Sequence, residues 1–147
     1  MKLYHYTSIN HLKEILRSGE IRLTASNLMK PKNPTLLNGR LVDETDNYMP
    51  VVWFTDTLDF ETAYNCGLSG GIEDKTEAAI TVTVNDTMTF YKWDQWAEQN
   101  DIDPEWFEAL KKTAPEWDTF YISETPVKIT NETGIIFRPD IAELLKQ

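Results

Sequence analysis

The sequence holds one cysteine, two histidines, six glycines and no long uninterrupted apolar run. Each shortage excludes something. Cys66 stands alone, so no intramolecular disulfide can form, which fits a reducing compartment. Two histidines and one cysteine are too few for a dedicated zinc site, so no metal site is assigned; no EF-hand loop is present, and carboxylate sites for magnesium or calcium stay open. No stretch reaches the roughly 18 apolar residues of a transmembrane helix, so no membrane partner is expected. Lys2 is followed by mixed polar residues rather than an apolar segment, so no secretory leader and a cytoplasmic location are expected. Nucleophile elbow, Walker loop, metalloprotease helix and Cys-x-x-Cys are all missing. Gly67–Gly71 lacks the fixed spacing of a phosphate-cradling loop, and a Cys66–His5 pair has no local signature around either residue.

What is present suits one globular domain. A chain of 147 residues buries about two-thirds of its unfolded surface. Net charge is −10 but uneven: residues 1–40 carry seven Lys/Arg against Glu14 and Glu20, a local charge of +5, which leaves −15 elsewhere. The acidic majority disfavours broad nucleic-acid binding, which requires cations against phosphates. The basic N-terminal part retains the means to hold the phosphates of a small ligand.

The first two dozen residues organise the rest. Leu3-Tyr4-His5-Tyr6-Thr7 reads as a strand, and Ser8 as an N-cap whose hydroxyl accepts a backbone N–H of the first turn. Ile9, Leu12, Ile15 and Leu16 recur at helical spacing as one apolar face, with Lys13, Glu14 and Arg17 on the other. Gly19 ends the helix, and Ile21-Arg22-Leu23-Thr24 resumes as strand.

Further on, 29–50 reads as a proline-punctuated loop, long enough to cover a ligand. Val51-Val52-Trp53-Phe54 is an apolar run of strand formers, capped by one of Thr55, Asp56 or Thr57 before a short helix in 58–65. Residues 78–84 alternate, with Ile80, Val82 and Val84 on one face, as a half-buried strand, and 88–90 resume extended structure. Trp93, Trp96 and Ala97 imply a helix, and Asp103-Pro104 reads as N-cap and first position of another. The tryptophans at this spacing read as core. Phe120-Tyr121-Ile122-Ser123 alternates again, 127–129 and 134–137 are strands, and Asp140 with Glu143 resembles a capping box. The whole reads as α+β with mostly antiparallel sheet.

The residues able to do chemistry form a sparse polar set on these strands. They are His5 with Tyr6 and Thr7, Trp53 and Thr55, Tyr64, and Ser123 with Glu124. Leu-Tyr-His-Tyr-Thr-Ser, a helix and Gly-x-Ile-x-Leu resemble the opening unit of a group of small bacterial and phage proteins similar to the ADP-ribosyltransferase superfamily. The resemblance continues through 51–55 as a second motif strand and 120–127 as a third.

That resemblance implies split antiparallel sheets with short flanking helices, one domain over 1–147, clasping NAD as substrate. It implies that His5 bonds a ribose hydroxyl, Thr55 buttresses the site and Tyr64 stacks on nicotinamide. Tyr6, Thr7, Trp53 and Ser123 line the ligand, and Glu124 is the catalytic carboxylate, with His5 beside it. A carboxylate near the ribose stabilises an oxocarbenium-like transition state. Tyr6 stands where that superfamily often has glycine, and Ile122 stands two residues before Glu124, where arginine modifiers carry Glu or Gln. The expected activity is thus transfer of ADP-ribose from NAD to an unidentified macromolecular acceptor other than arginine. Two rival readings are a non-catalytic nucleotide-binding protein on the same scaffold and an acidic interaction module working through Asp94 to Asp118.

Overall fold

Ser8 stops the first strand and starts the first helix, and the structure, a computed structural model, realises this as expected. It describes residues 1–23, 36–37, 40–41, 50–65, 73–100, 102 and 104–147. Strand β1 (Lys2–Thr7) leads into helix α1 (Ile9–Ser18), where Ser8 Oγ accepts the His11 N–H at 3.1 Å, a cap worth about 1 kcal/mol. Gly19, in the left-handed region at φ 79°, closes the helix through its N–H to the Ile15 carbonyl. Leu12 and Ile15 are buried as the spacing requires; Leu16, expected beside them, is 51% exposed. The apolar stripe is therefore narrower than the pattern suggested.

Strand β2 (Glu20–Ile21) pairs with β9 (Val127–Lys128), and β3 (Leu36–Leu37) with β4 (Arg40–Leu41). The second pair corrects the reading of 29–50 as loop throughout; its other residues up to 49 lie outside the described ones, as do Cys66, Gly67–Gly71 and Asp103. The remaining elements are β5 (Val52–Thr55), α2 (Phe60–Ala63), β6 (Ala78–Thr83), β7 (Tyr91–Lys92), α3 (Trp93–Gln99) and α4 (Pro104–Thr113). After a single tight turn at Trp117–Thr119 come β8 (Phe120–Ser123), β10 (Gly134–Phe137) and α5 (Pro139–Leu145).

Among the described residues, six strands form one sheet in the order β10-β6-β1-β5-β8-β7, antiparallel throughout. The protein is a small mixed α+β domain. Strand β6, expected to be half-buried, is buried on both faces: Ala78, Ile80 and Val82 join the core that holds Leu12 and Ile15 of α1, and Ala79 and Thr81 on the other face are also buried. Successive side chains alternate across a sheet, and β5 and β8 feed two cores that way. Val52 and Phe54 join Leu3, Ile80, Leu12 and Ile15 on the α1 side. Val51 and Ile122 join Trp93, Trp96, Ala97 and Leu110 on the α3–α4 side, where Trp93 stacks on Phe107 at 4.8 Å.

Three local expectations shift. Asp59, not a residue of 55–57, caps α2, accepting from the Thr62 N–H at 3.0 Å. Residues 88–90 precede the strand rather than form it, since β7 begins at Tyr91. Helix α5 starts at Pro139 after Arg138, so Asp140 sits in the first turn and bonds the Arg138 guanidinium instead of capping.

Candidate functional site

The three strands that carry the polar set, β1, β5 and β8, are neighbours in the sheet. The contact between the first two is unusual. Their register consists of the single pair Tyr4–Thr55. Beside it, His5 Nδ1 stands 2.8 Å from the Trp53 carbonyl oxygen, so an imidazole fills a place that a backbone N–H would take in a regular ladder. A carbonyl oxygen only accepts, so Nδ1 carries the hydrogen. Burial holds the ring's pKa below its ordinary 6.5, overriding the opposing pull of the Trp53 bond, and the ring is neutral at pH 7. Its other nitrogen, Nε2, is then a lone-pair acceptor. No described residue meets it within hydrogen-bond distance.

His5 pairs with Ile80 in register and lies 5.6 Å, ring to ring, from Phe54, so it belongs to the α1 side of the sheet. Glu124 does not. Its Oε1 accepts the Trp96 indole N–H at 2.6 Å, and Trp96 belongs to the α3–α4 core. Strand β5 separates their strands, which spaces them by about two strand widths, roughly 10 Å. The imidazole and the carboxylate thus occupy opposite faces of the sheet.

The other expected site residues divide among separate settings. Tyr6 and Thr55 meet in one hollow, lined also by Thr57, Asp59, Thr62, Glu116 and Phe120. Its volume of about 70 Å³ falls well short of the roughly 300 Å³ or more of ligand pockets, so it is a shallow dimple rather than a nucleotide site. Tyr6 Oη accepts the Asp59 N–H at 2.8 Å, and Thr55 Oγ1 shares a 2.8 Å bond with Thr119 Oγ1. Thr62 hydrogen bonds hold the Asp59 carboxyl below its ordinary pKa. Trp53 packs edge-on to Phe120 and tilted to Trp93. Tyr64 is about half exposed, its ring 5.3 Å from the Arg138 guanidinium carbon. Thr7 and Ser123 are buried and bond locally, Thr7 to the Ser8 carbonyl and Ser123 to Thr125.

Sequence reasoning did not find Trp96 as the partner of Glu124, nor Asp59 and Thr62 at the hollow. The Asp-x-x-Thr spacing was a usable sign of a cap there. Among the described residues, no group of three or more His, Cys, Asp or Glu is arranged to hold a metal ion, and no helix is long and apolar enough to cross a membrane. No protein family, curated protein or solved structure matches this chain.

Proposed function

We propose that the chain is an ADP-ribosyltransferase-like domain that binds a nucleotide with free ribose hydroxyls, NAD before others, through His5. One observation carries the reading: a neutral, largely buried imidazole with its Nδ1–H committed to the Trp53 carbonyl and a lone pair left on Nε2. That nitrogen takes a hydrogen from a hydroxyl, not from a phosphate or a carboxylate. The adjacency of β1, β5 and β8 supports the same reading, because the three strands bearing the resemblance are consecutive in the sheet. The split-sheet layout and the NAD ligand come from the resemblance.

Binding without turnover is the form that the geometry favours, since Glu124 and His5 lie across the sheet from each other. Transfer of ADP-ribose to a macromolecular acceptor is the second form. What favours it is Glu124 itself, an exposed carboxylate directly after the third strand with one oxygen oriented by Trp96. Calorimetric titration with NAD and ADP-ribose, alongside a nicotinamide-release assay, separates the two. Binding of both ligands, weakened in His5→Asn, with no nicotinamide released is the expected result. Nicotinamide release abolished by Glu124→Gln gives the second form. Absence of heat with either nucleotide overturns both.

A further inference from the structure

The sheet is not knit equally along its width. Strand β1 pairs with β6 over its whole length, from Lys2–Thr83 to Thr7–Ala78, and β5 pairs with β8 from Val52–Ser123 to Thr55–Phe120. Between β1 and β5 stands only Tyr4–Thr55. The next pair of a regular ladder, Tyr6–Trp53, gives way to the His5 ring on the Trp53 carbonyl. The packing divides at the same line. Among the described residues, the core around Trp93 and Trp96 draws on Val51, Trp53, β8 and the region 93–117, and on nothing from β10, β6 or β1. What crosses the line besides one backbone pair is side chain. On the α1 side Val52, Phe54 and Tyr121 join the core of Leu3 and Ile80; on the other, Tyr6 Oη accepts the Asp59 N–H and its ring meets Phe60 edge-on.

We infer that the sheet consists of two halves, β10-β6-β1 and β5-β8-β7, and that it opens along the β1–β5 seam while each half stays folded. Opening free energies vary across a fold, and a boundary held by one backbone pair parts at lower cost than the full ladders on either side of it. The apolar contacts on the α1 side serve as the pivot. The His5–Trp53 bond is the latch, because it stands where a second backbone pair would. The hollow straddles this seam, with Tyr6 from one half and Thr55, Asp59 and Phe120 from the other. Parting the halves therefore widens it into a cleft.

Native-state hydrogen exchange of the full chain, read by nuclear magnetic resonance, tests the seam with controls on the same strands. Alternate residues of an antiparallel strand face alternate neighbours. The Val84 N–H to Met1 carbonyl and Asp56 N–H to Thr119 carbonyl bonds extend the two full ladders. Leu3 and His5 thus face β6, Phe54 faces β8, and Tyr4 and Thr55 face each other across the seam. Relative to their unstructured rates, the Tyr4 and Thr55 amides are expected to exchange at least about tenfold faster than those of Leu3, His5 and Phe54. One common opening free energy for all five, that of global unfolding, overturns the seam. The latch bond is broken in the opened and the unfolded chain alike, so His5→Ala should accelerate Tyr4 and Thr55 as much as Leu3, by about tenfold. Acceleration of Leu3 with Tyr4 and Thr55 unchanged overturns the latch. Trp96→Phe weakens one half from within; it should accelerate Phe54 and leave Tyr4 and Thr55 as they are. Equal acceleration of all three there also overturns the seam.

Discussion

His5 on β1 holds the backbone of Trp53 on β5 through a side-chain nitrogen 2.8 Å from the carbonyl, at the one place where the register of these strands is a single pair. The two ring nitrogens therefore have separate duties, one to the fold and one to a ligand, and substitutions can separate them. Asparagine carries an N–H close to where Nδ1 stands and has nothing where Nε2 stands. His5→Asn is expected to keep thermal stability within about 1 kcal/mol, the worth of one hydrogen bond. NAD binding should weaken by roughly three- to tenfold, the same energy read as affinity. His5→Ala should lose both, leaving the Trp53 carbonyl unpaired at a cost of about 1–3 kcal/mol. Urea denaturation and calorimetry on the two variants check this. Equal nucleotide affinity in His5→Asn and the parent would mean that Nε2 makes no ligand contact.

Burial of that ring also sets a pH dependence. The folded pKa of His5 is depressed below 6.5, so the unfolded chain takes up its proton first as pH falls. His5 therefore contributes stability that is whole above pH 6.5 and is lost as pH drops toward the folded pKa. Asp59, Glu73, Asp74 and Asp140 also have depressed pKa values, but from the carboxylate range, so their losses come at lower pH. The urea midpoint should fall between pH 6.5 and 5 in the parent. His5→Asn should flatten that segment and leave the acid limb below it unchanged. A parent curve already flat from pH 7 to 5 would remove the argument.

How much was legible in the sequence depends on how local its cause was. The β1–α1 unit could be read nearly residue by residue, because Ser8 and Gly19 each act on neighbours within one turn. The alternation of β6 was legible but its burial was not: what packs against each face of a sheet is set by tertiary contacts, which the periodicity of one strand does not contain. The pair β3–β4 was missed although Asn38-Gly39 is a hairpin signal, because a search for helical or alternating periods passes over two-residue strands. His5 could be picked out as chemistry-bearing by residue type. That its Nδ1 would be taken by a neighbouring strand, and that Glu124 would turn to Trp96, depended on contacts 48 and 28 residues away in sequence.

Gly19 is the second local test. Its φ of 79° is a conformation that an L side chain adopts at a cost of about 1–2 kcal/mol. A Cβ there would meet nothing within 4 Å, so sterics with the rest of the molecule contribute nothing. Alanine also stiffens the unfolded chain, which returns about 0.4–1 kcal/mol. Backbone strain is the larger, and Gly19→Ala should lower stability by about 1 kcal/mol, a melting shift of roughly 2–4 °C for a chain of this length. A raised melting temperature would mean that the helix can end another way.

Glu124 and Trp96 offer the test that bears on function as well as fold. The indole N–H donates to Glu124 Oε1 at 2.6 Å, and the carboxylate is exposed while Trp96 is buried at 3%. Removing the donor and removing the acceptor therefore differ. In Trp96→Phe the freed carboxylate turns to water, and the loss is mainly one charge-assisted hydrogen bond plus the smaller ring, about 1.5–3 kcal/mol. In Glu124→Gln the amide oxygen still accepts, so stability should change by less than about 1 kcal/mol. If the carboxylate has no part in holding the nucleotide, neither variant changes NAD affinity, although Trp96→Phe lowers the melting temperature. Both variants must keep the fold intact, which near-ultraviolet circular dichroism of the packed tryptophans would report. A Glu124→Gln protein that melts like the parent but has lost NAD affinity would bring the carboxylate back to the ligand and reverse the assignment of faces.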